Sequence, residues 1–344
     1  MLLKKFDKSK IRSILLISLS NVGDVILTFP VIDILKRDIP RAQLSIVVGP
    51  KAKSLFWGNP YLKEVYIFDK KQSGLRKLGW LISLQRKKFD LVVDLRNTVI
   101  PFLISARYRT SPEFRKFPAL HMKTKHLNRL RSIFDFETES HRRYSLFRLE
   151  SDSRYVDNIV REAMKSHKKI FVVAPGAANQ IKRWTPEGFA RLCDQLIESL
   201  KVKIIFVGDK SDVSTVDAVV HLMRRQSLNL CGQTTLTQLA EILRRATAAI
   251  TNDSAVMHLA SYLDIPVVAI FGPTDPKKYG PWSSRYFVVQ KRIFCSPCEK
   301  SACSYNHECM NDLHSSEIFD MVRQICSPGS IQKTESDKNI YETI

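Results

Sequence analysis

Two turns in this chain place a carboxylate at the start of a helix. Gly23-Asp24 follows the apolar run Ile14-Leu15-Leu16-Ile17, and Asn252-Asp253-Ser254-Ala255 follows Ala248-Ala249-Ile250. The first N–H groups of a helix have no partner within it and carry the positive end of its dipole, so each turn can hold an anion or a developing charge. Asp24 has two readings from the residues alone, a helix N-cap or an acid–base group. Gly23 allows close approach of a ligand to the backbone, and a plain tight turn explains it nearly as well. Two such turns, far apart in the sequence, predict two similar domains that face one cleft.

The elements that must position them alternate. In the first half, β-like runs at 14–19, 44–48, 65–68 and 91–95 are separated by helical patterns at 25–36, 51–57 and 75–86. In the second half, runs at 170–173, 203–207, 248–250 and 267–271 alternate with helices at 186–199, 212–225, 237–245 and 254–263. Thr185-Pro186-Glu187 is a strong helix start, with Thr185 as N-cap and proline in the first turn. Such alternation specifies parallel sheets with right-handed crossovers, and ligands then sit outside the carboxyl ends of the strands. The expected organisation is a domain over residues 1–150, a second over 151–326, and a mobile polar tail over 327–344. The polar stretch 150–169 marks the boundary and carries a helix over 153–166. The basic, aromatic segment 97–148 reads as loops and short helices that touch a substrate or a membrane. Neither the Gly-x-Gly-x-x-Gly fingerprint nor a phosphate-binding P-loop is present, which argues against an NAD enzyme or a P-loop ATPase.

With 344 residues, of which 44% are hydrophobic, the chain can bury two cores. The apolar run at 14–17 is far shorter than a membrane span, so a cytoplasmic location is expected. The net charge of +20 is lopsided: residues 1–150 hold 30 Lys and Arg against 13 Asp and Glu. Clusters at Arg86-Lys87-Lys88, Arg107 with Arg109, Arg115-Lys116 and residues 123–131 make the first half the anion-facing one. A single cluster reads as a solvated surface. The whole asymmetry points to a polyanionic partner, either a phosphorylated lipid at an anionic membrane or a nucleic acid.

Three ordered motifs carry a resemblance. Ser20-Asn21-Val22-Gly23-Asp24-Val25-Ile26-Leu27-Thr28-Phe29-Pro30 resembles the opening motif of glycosyltransferase family nine, the ADP-heptose:lipopolysaccharide heptosyltransferases. Pro175-Gly176-Ala177, leading through Lys182-Arg183-Trp184 to Pro186, is similar to the middle motif. Asn252-Asp253-Ser254-Ala255 with His258, followed by Phe271-Gly272-Pro273-Thr274-Asp275-Pro276, is similar to the late one. The resemblance covers residues 12–325 and implies a GT-B fold, two Rossmann-like doubly wound α/β domains facing a central cleft. The implied reaction is inverting transfer of heptose from ADP-heptose to the inner core of lipopolysaccharide, a phosphorylated lipid A–Kdo acceptor, at the cytoplasmic face of the inner membrane. An anionic membrane surface is then the macromolecular partner, and nucleic acid is not.

Glycosyl transfer needs a base, a stabilised oxocarbenium-like centre and positive potential for the leaving diphosphate. The resemblance makes Asp24 the base and Lys182 the donor-phosphate lysine, with Arg183 assisting and Trp184 packing. Ser254 and Ala255 then supply N–H groups to the phosphates and Asp253 binds sugar hydroxyls. Many relatives have Thr-Gly where this chain has Ser-Ala, and the Ala255 methyl limits close backbone approach. His258 reads equally as a core histidine or as a phosphate-facing one. Asp209, after the 203–207 strand, is placed where a doubly wound sheet holds a ribose carboxylate, and Thr234 lies near the base. Gly23 and Arg96 are assigned to the acceptor side. No Asp-x-Asp pair is present, so metal-independent catalysis with no cofactor is expected. Four cysteines cluster as Cys295-x2-Cys298-x4-Cys303-x5-Cys309. Reduced structural thiols are the expectation and a zinc site is the alternative, because the second C-x2-C of a zinc ribbon is missing. Two other functions stay open, a sugar-nucleotide epimerase on a similar scaffold and a non-enzymatic polyanion or membrane binder. The basic first half weighs against the epimerase.

Overall fold

The apolar runs of the first half become strands of one parallel sheet because each is flanked by chain that can cross back over a face. In the computed structural model, which describes residues 6–112, 120–138, 143–164, 169–327 and 341–343, the chain divides into two units, Met1–Phe147 and Arg148–Ile344. Arg115, Lys116, Ser166 and most of the expected tail lie outside the described residues.

The first unit holds strands β1 (Ser13–Ile17), β2 (Gln43–Val48), β3 (Leu62–Ile67), β4 (Phe89–Asp94) and β5 (Ala106–Arg109) in the order β3-β2-β1-β4-β5. All pairings are parallel, with Ile17 opposite both Val47 and Asp94. Its helices are α1 (Val22–Ile26), α2 (Phe29–Asp38), α3 (Gly74–Gln85), α4 (Ile100–Leu103) and α5 (Met122–Arg131). The single helix expected over 25–36 is two helices. Pro30 has no N–H for the carbonyl of Ile26, and the Thr28 hydroxyl donates to the carbonyl of Val25 instead (2.7 Å) while also pairing with the Ser18 hydroxyl. The expected helix over 51–57 is a 3-10 turn, Pro50–Phe56. Within the segment expected as loops and short helices, β5 and α5 are regular elements.

The second unit opens on α6 (Glu150–Met164) and continues with β6 (Ile170–Ala174), α7 (Pro186–Leu200), β7 (Lys203–Phe206), α8 (Val213–Leu222), β8 (Leu228–Asn229), α9 (Leu236–Arg245), β9 (Ala248–Asn252), α10 (Ala255–Tyr262), β10 (Val267–Phe271), α11 (Pro276–Tyr279), β11 (Tyr286–Gln290), α12 (Glu308–Asn311), α13 (Ser315–Ile325) and β12 (Tyr341–Thr343). The sheet order is β12-β11-β10-β9-β6-β7-β8, again all parallel. Thr185 caps α7 as its sequence predicts, its side chain accepting from the N–H of Gly188 (3.1 Å). Helix α6 is tied to α9 through Arg245, which donates to the Asp157 carboxylate (2.7 Å) and the Ser153 hydroxyl (2.9 Å), while the buried Glu241 of α9 accepts from Arg245 and from Arg148 ahead of α6. The core between α7, α13 and the sheet is built around Trp184, Phe189, Phe206, Ile318 and Val322.

One buried histidine predicts that the first unit loses stability in acid. His126 on α5 is 3% exposed, and among the described residues neither ring nitrogen has a hydrogen-bond partner. Burial, and then the Arg129 charge, lower its pKa from 6.5 to about 4. The unfolded chain therefore binds this proton more readily than the folded one. The contribution of His126 is fully present above about pH 6.5 and is lost as pH falls toward 4, at a cost of about 3 kcal/mol. Urea midpoints measured across this window should fall less steeply for His126→Leu than for the unaltered protein. Equal slopes would remove His126 as the cause.

Candidate functional site

In each sheet the strand order reverses at one place, and the side chains singled out from the sequence emerge there. The first sheet grows outward from β1 through β2 and β3, then restarts with β4 on the other side of β1. The second grows from β6 through β7 and β8, then restarts with β9 beside β6. The loops leaving the two strands at such a point part in opposite directions and open a crevice at their carboxyl ends. Asp24 follows β1 and Arg96 follows β4. The Lys182 loop follows β6, and Asp253-Ser254 follows β9.

In the first unit Asp24 is the third residue of α1 and is not its cap, a position held by Asn21. Its carboxylate is partly exposed and accepts from the Asn21 amide (2.9 Å). Gly23 is helical, so it is not required by a left-handed turn. The turn before α1 is packed instead by Gly49, where a Cβ would stand 2.7 Å from the backbone of Ser20. Across the switch point, Asp94 ends β4 and is fully buried. It accepts from the N–H groups of Arg96 (2.8 Å) and Thr98 (2.6 Å) and from the Thr98 hydroxyl (2.8 Å). Arg96 is thereby fixed and stacks over Phe68, its guanidinium 5.2 Å from the ring centre. Burial lowers its pKa against the opposing pull of Asp94. Arg129 closes the same region from α5, donating to the carbonyls of Asp94 (2.7 Å) and Ser111 (3.3 Å).

In the second unit a buried asparagine organises the site. Asn252, the last residue of β9, donates to the carbonyl of Pro175 (2.6 Å) and accepts from the N–H of Trp184 (3.2 Å). One amide thus holds both ends of the loop that carries Lys182. The Lys182 ammonium lies 2.7 Å from the carboxylate of Asp253, whose side chain is 7% exposed against 32% for the lysine. Next in the chain, Ser254 is the N-cap residue of α10, yet its hydroxyl makes no cap bond. Among the described residues that buried oxygen has no hydrogen-bond partner, and neither has the hydroxyl of Thr251. Buried unpaired hydroxyls are costly, and one at the mouth of a helix N-terminus is poised for an anionic or hydroxylated ligand. Ala255 begins α10, and His258, one turn on, is buried on it.

Arg183 does not reach toward this ligand position. Its donors go to the carbonyl of Ala177 (3.0 and 2.8 Å), the hydroxyl of Thr215 (2.7 Å) and the carboxylate of Asp212 (3.3 Å). The expected phosphate assistance from Arg183 is replaced by support of the loop. Gly176 permits this packing, since a Cβ there would fall 2.1 Å from the Asp212 carboxyl carbon. Burial raises the pKa of Asp212 despite the arginine. Asp209 follows β7, but its carboxylate is used locally, accepting from the N–H and hydroxyl of Ser211. Thr234 is partly exposed in the turn before α9, whose cap is Thr235.

The four clustered cysteines line one cavity of about 30 Å³ together with His307 and Ile181. Burial, and then the neighbouring Cys295, Cys303 and Cys298, push the Cys309 thiol up to about 11, so it is protonated at neutral pH. Among the described residues no group of three or more His, Cys, Asp or Glu side chains is placed to hold a metal ion. The cysteine loop does something the sequence did not reveal. It straps the Lys182 loop, through the Asn179 amide to the carbonyl of Ser301 (3.0 Å) and through His307 to the carbonyl of Ile181.

Comparison with known proteins agrees with this architecture. The profile of glycosyltransferase family 9 (heptosyltransferase) matches residues 81–308. A lipooligosaccharide heptosyltransferase 2 of Campylobacter jejuni is 24% identical over 319 residues, which is 89% of this chain and 97% of the relative. The glycosyl transferase family 9 structure from Veillonella parvula superimposes with a TM-score of 0.76 at 22% identity, covering 92% of this chain and 97% of that one. The ADP-heptose lps heptosyltransferase II of E. coli does so with a TM-score of 0.71 at 20% identity, covering 91% and 98%. Two parallel-sheet α/β units of this kind are the GT-B fold.

Asn252→Ala would leave the carbonyl of Pro175 and the N–H of Trp184 buried without partners, at a cost of about 2–4 kcal/mol. Thermal unfolding should show that loss, and hydrogen exchange should quicken in residues 175–184 ahead of the rest of the second unit. Unchanged exchange there would mean that the loop is held by other contacts.

Proposed function

Because the chain belongs to glycosyltransferase family 9, we propose that it transfers heptose, with inversion, from ADP-heptose to the inner core of lipopolysaccharide. The observation that carries this reading is the second unit's switch point, where an ammonium, a nearly buried carboxylate and an unpartnered serine hydroxyl converge on the N-terminus of α10. Those groups match the parts of a nucleotide sugar. Lys182 and the N–H groups of Ser254 and Ala255 take the diphosphate, the Ser254 hydroxyl adds a hydrogen bond, and Asp253 accepts from sugar hydroxyls. Asp209 and Thr234 are assigned to the ribose and base, with Asp209 giving up its bonds to Ser211. The buried His258 supports α10 behind the phosphates.

The chemistry follows from the charges. As the glycosidic bond to phosphate breaks, negative charge grows on the leaving ADP, and Lys182 with the helix N-terminus offsets it without a divalent ion. Asp24, whose partly exposed carboxylate accepts from Asn21, removes the proton of the attacking hydroxyl. Arg96 and the region around Gly23 receive the acceptor, and its phosphates and carboxylates suit the basic first unit. The acceptor is lipid A–Kdo, so the enzyme works as a peripheral protein on the cytoplasmic face of the inner membrane. No helix of the described residues is long and apolar enough to cross a membrane.

With ADP-heptose and a deep-rough lipopolysaccharide acceptor, the purified protein should release ADP without added metal. Asp24→Asn should lower kcat by about 10²- to 10⁴-fold and leave donor affinity nearly unchanged. Turnover close to that of the parent would remove Asp24 as base. Lys182→Ala should weaken ADP-heptose binding by about 10- to 100-fold, the range for losing a charged hydrogen bond. Calorimetric titration showing parental affinity would overturn the phosphate assignment.

A further inference from the structure

Helix α3 is apolar on two faces, and only one of them is covered. Leu84, with Trp80 and Leu81, packs into the core cluster that contains Leu15, Val92, Ile100 and Ile104. Leu75, Leu78 and Ile82, spaced as one helical stripe, point away from it. Helix α4 lies beside α3, and Val99, Phe102 and Leu103 are exposed there in the same way. These six side chains are between 41% and 83% exposed, and they make up half of the twelve large apolar side chains exposed among the described residues. Scattered exposed apolar residues need no explanation, but six gathered on α3 and on the neighbouring α4 with its N-cap residue Val99 mark an interaction surface.

The charge around the set identifies what covers it. Between residues 70 and 89 the chain carries Lys70, Lys71, Arg76, Lys77, Arg86, Lys87 and Lys88 and no acidic residue. Among the described residues, Lys87 alone of these forms an ion pair, with Glu64. Arg107 and Arg109 follow on the edge strand β5, the latter over the ring of Phe102 (5.6 Å). Apolar side chains ringed by arginine and lysine are the pattern of a helix lying in a lipid interface, where the apolar stripe enters the acyl region and the cations meet anionic headgroups. The surface is also continuous with the first unit's candidate site. Trp80 of α3 packs on Phe68 (5.1 Å), and Phe68 carries Arg96.

We propose that the α3–α4 face of the first unit docks on an anionic lipid bilayer, with Leu75, Leu78, Ile82, Val99, Phe102 and Leu103 inserted and the flanking lysines and arginines on the headgroups. A lipid-anchored acceptor then enters the Arg96 side of the site without leaving the membrane surface. The inference rests on the proposed function for the identity of the acceptor alone; the docking itself follows from the face.

The test is co-sedimentation of the full chain with phosphatidylethanolamine–phosphatidylglycerol vesicles and, separately, with phosphatidylcholine vesicles. The unaltered protein should bind the anionic vesicles and not the neutral ones. Leu78→Glu with Phe102→Glu, both at exposed positions, should lower the bound fraction at least about tenfold while circular dichroism and turnover on a deacylated, soluble acceptor stay at parental levels. Arg76→Glu with Arg86→Glu should weaken binding and its salt dependence together. Undiminished binding by the Leu78/Phe102 variant, or no binding by the parent, would overturn the docking face. So would a dimer of the parent that these substitutions dissociate, because the apolar set would then belong to a second copy. Vesicle binding with no ADP release from ADP-heptose would leave this face standing and overturn the proposed function instead.

Discussion

Both candidate sites depend on one device, a buried polar side chain at the last residue of the strand beside the switch point. Asn252 ends β9 and holds Pro175 and Trp184; Asp94 ends β4 and holds Arg96 and Thr98. A loop leaving a parallel strand carries N–H and carbonyl groups that no ladder satisfies, and near the core water cannot satisfy them either. An amide offers both a donor and an acceptor, so it can close a loop that turns its carbonyl in at one end and its N–H at the other. A carboxylate only accepts, so it suits a short loop that presents several N–H groups. The residue type at each strand end therefore follows from the polarity of the loop it must satisfy. In both cases the candidate cation, Lys182 or Arg96, is a passenger on that loop.

The second unit adds further layers around the same loop. Arg183, Asp212 and Thr215 brace it from the β7 side, and the cysteine loop straps it from the other through Asn179 and His307. Pro175, Ala177, Asn179 and Ile181 are thus engaged ahead of Lys182, whose side chain faces Asp253. Under the proposed function, preorganisation of this kind keeps the loop that carries the ammonium beside the place where charge develops.

The sequence was legible where structure is periodic and local. The run at 267–271 is the strand as observed, and Thr185-Pro186 starts α7 as its chemistry requires. The motif residues Asp24, Lys182 and Asp253 lie on the segments that follow β1, β6 and β9, because apolar runs mark the strands that precede them. Two further elements carry a local signal of the same kind: the β-rich Tyr286-Phe287-Val288-Val289, which forms β11, and the helical spacing of Ile318, Met321, Val322 and Ile325 in α13. Other features have no local signal. The bond from Asn252 to Pro175 spans 77 residues, and donors of Arg183 go to a hydroxyl 32 residues away and a carboxylate 29 residues away. Nothing in the spacing of Lys182-Arg183 says which of two adjacent cations faces Asp253 and which faces the scaffold. The split at Leu27-Thr28 was readable from Pro30, but the apolar period running through it is stronger than the break.

The ion pair between Lys182 and Asp253 bears on which ligand the second unit prefers. Without a ligand each group stabilises the other, and Asp253, at 7% side-chain exposure, has little water to fall back on. A bare anion arriving at the α10 N-terminus draws the ammonium toward itself and leaves that carboxylate beside a second negative charge. A nucleotide sugar does not create this conflict. Its diphosphate takes the lysine and the helix N–H groups while its hydroxyls donate to Asp253, so every group released from the resting pair acquires a partner of suitable polarity. Under the proposed function the site therefore discriminates between the intact donor and the nucleotide that remains after transfer. Once the sugar has left, Asp253 lacks its donors, the pull on Lys182 returns, and departure of the nucleotide is favoured by the same pair that arrival of the donor had to open.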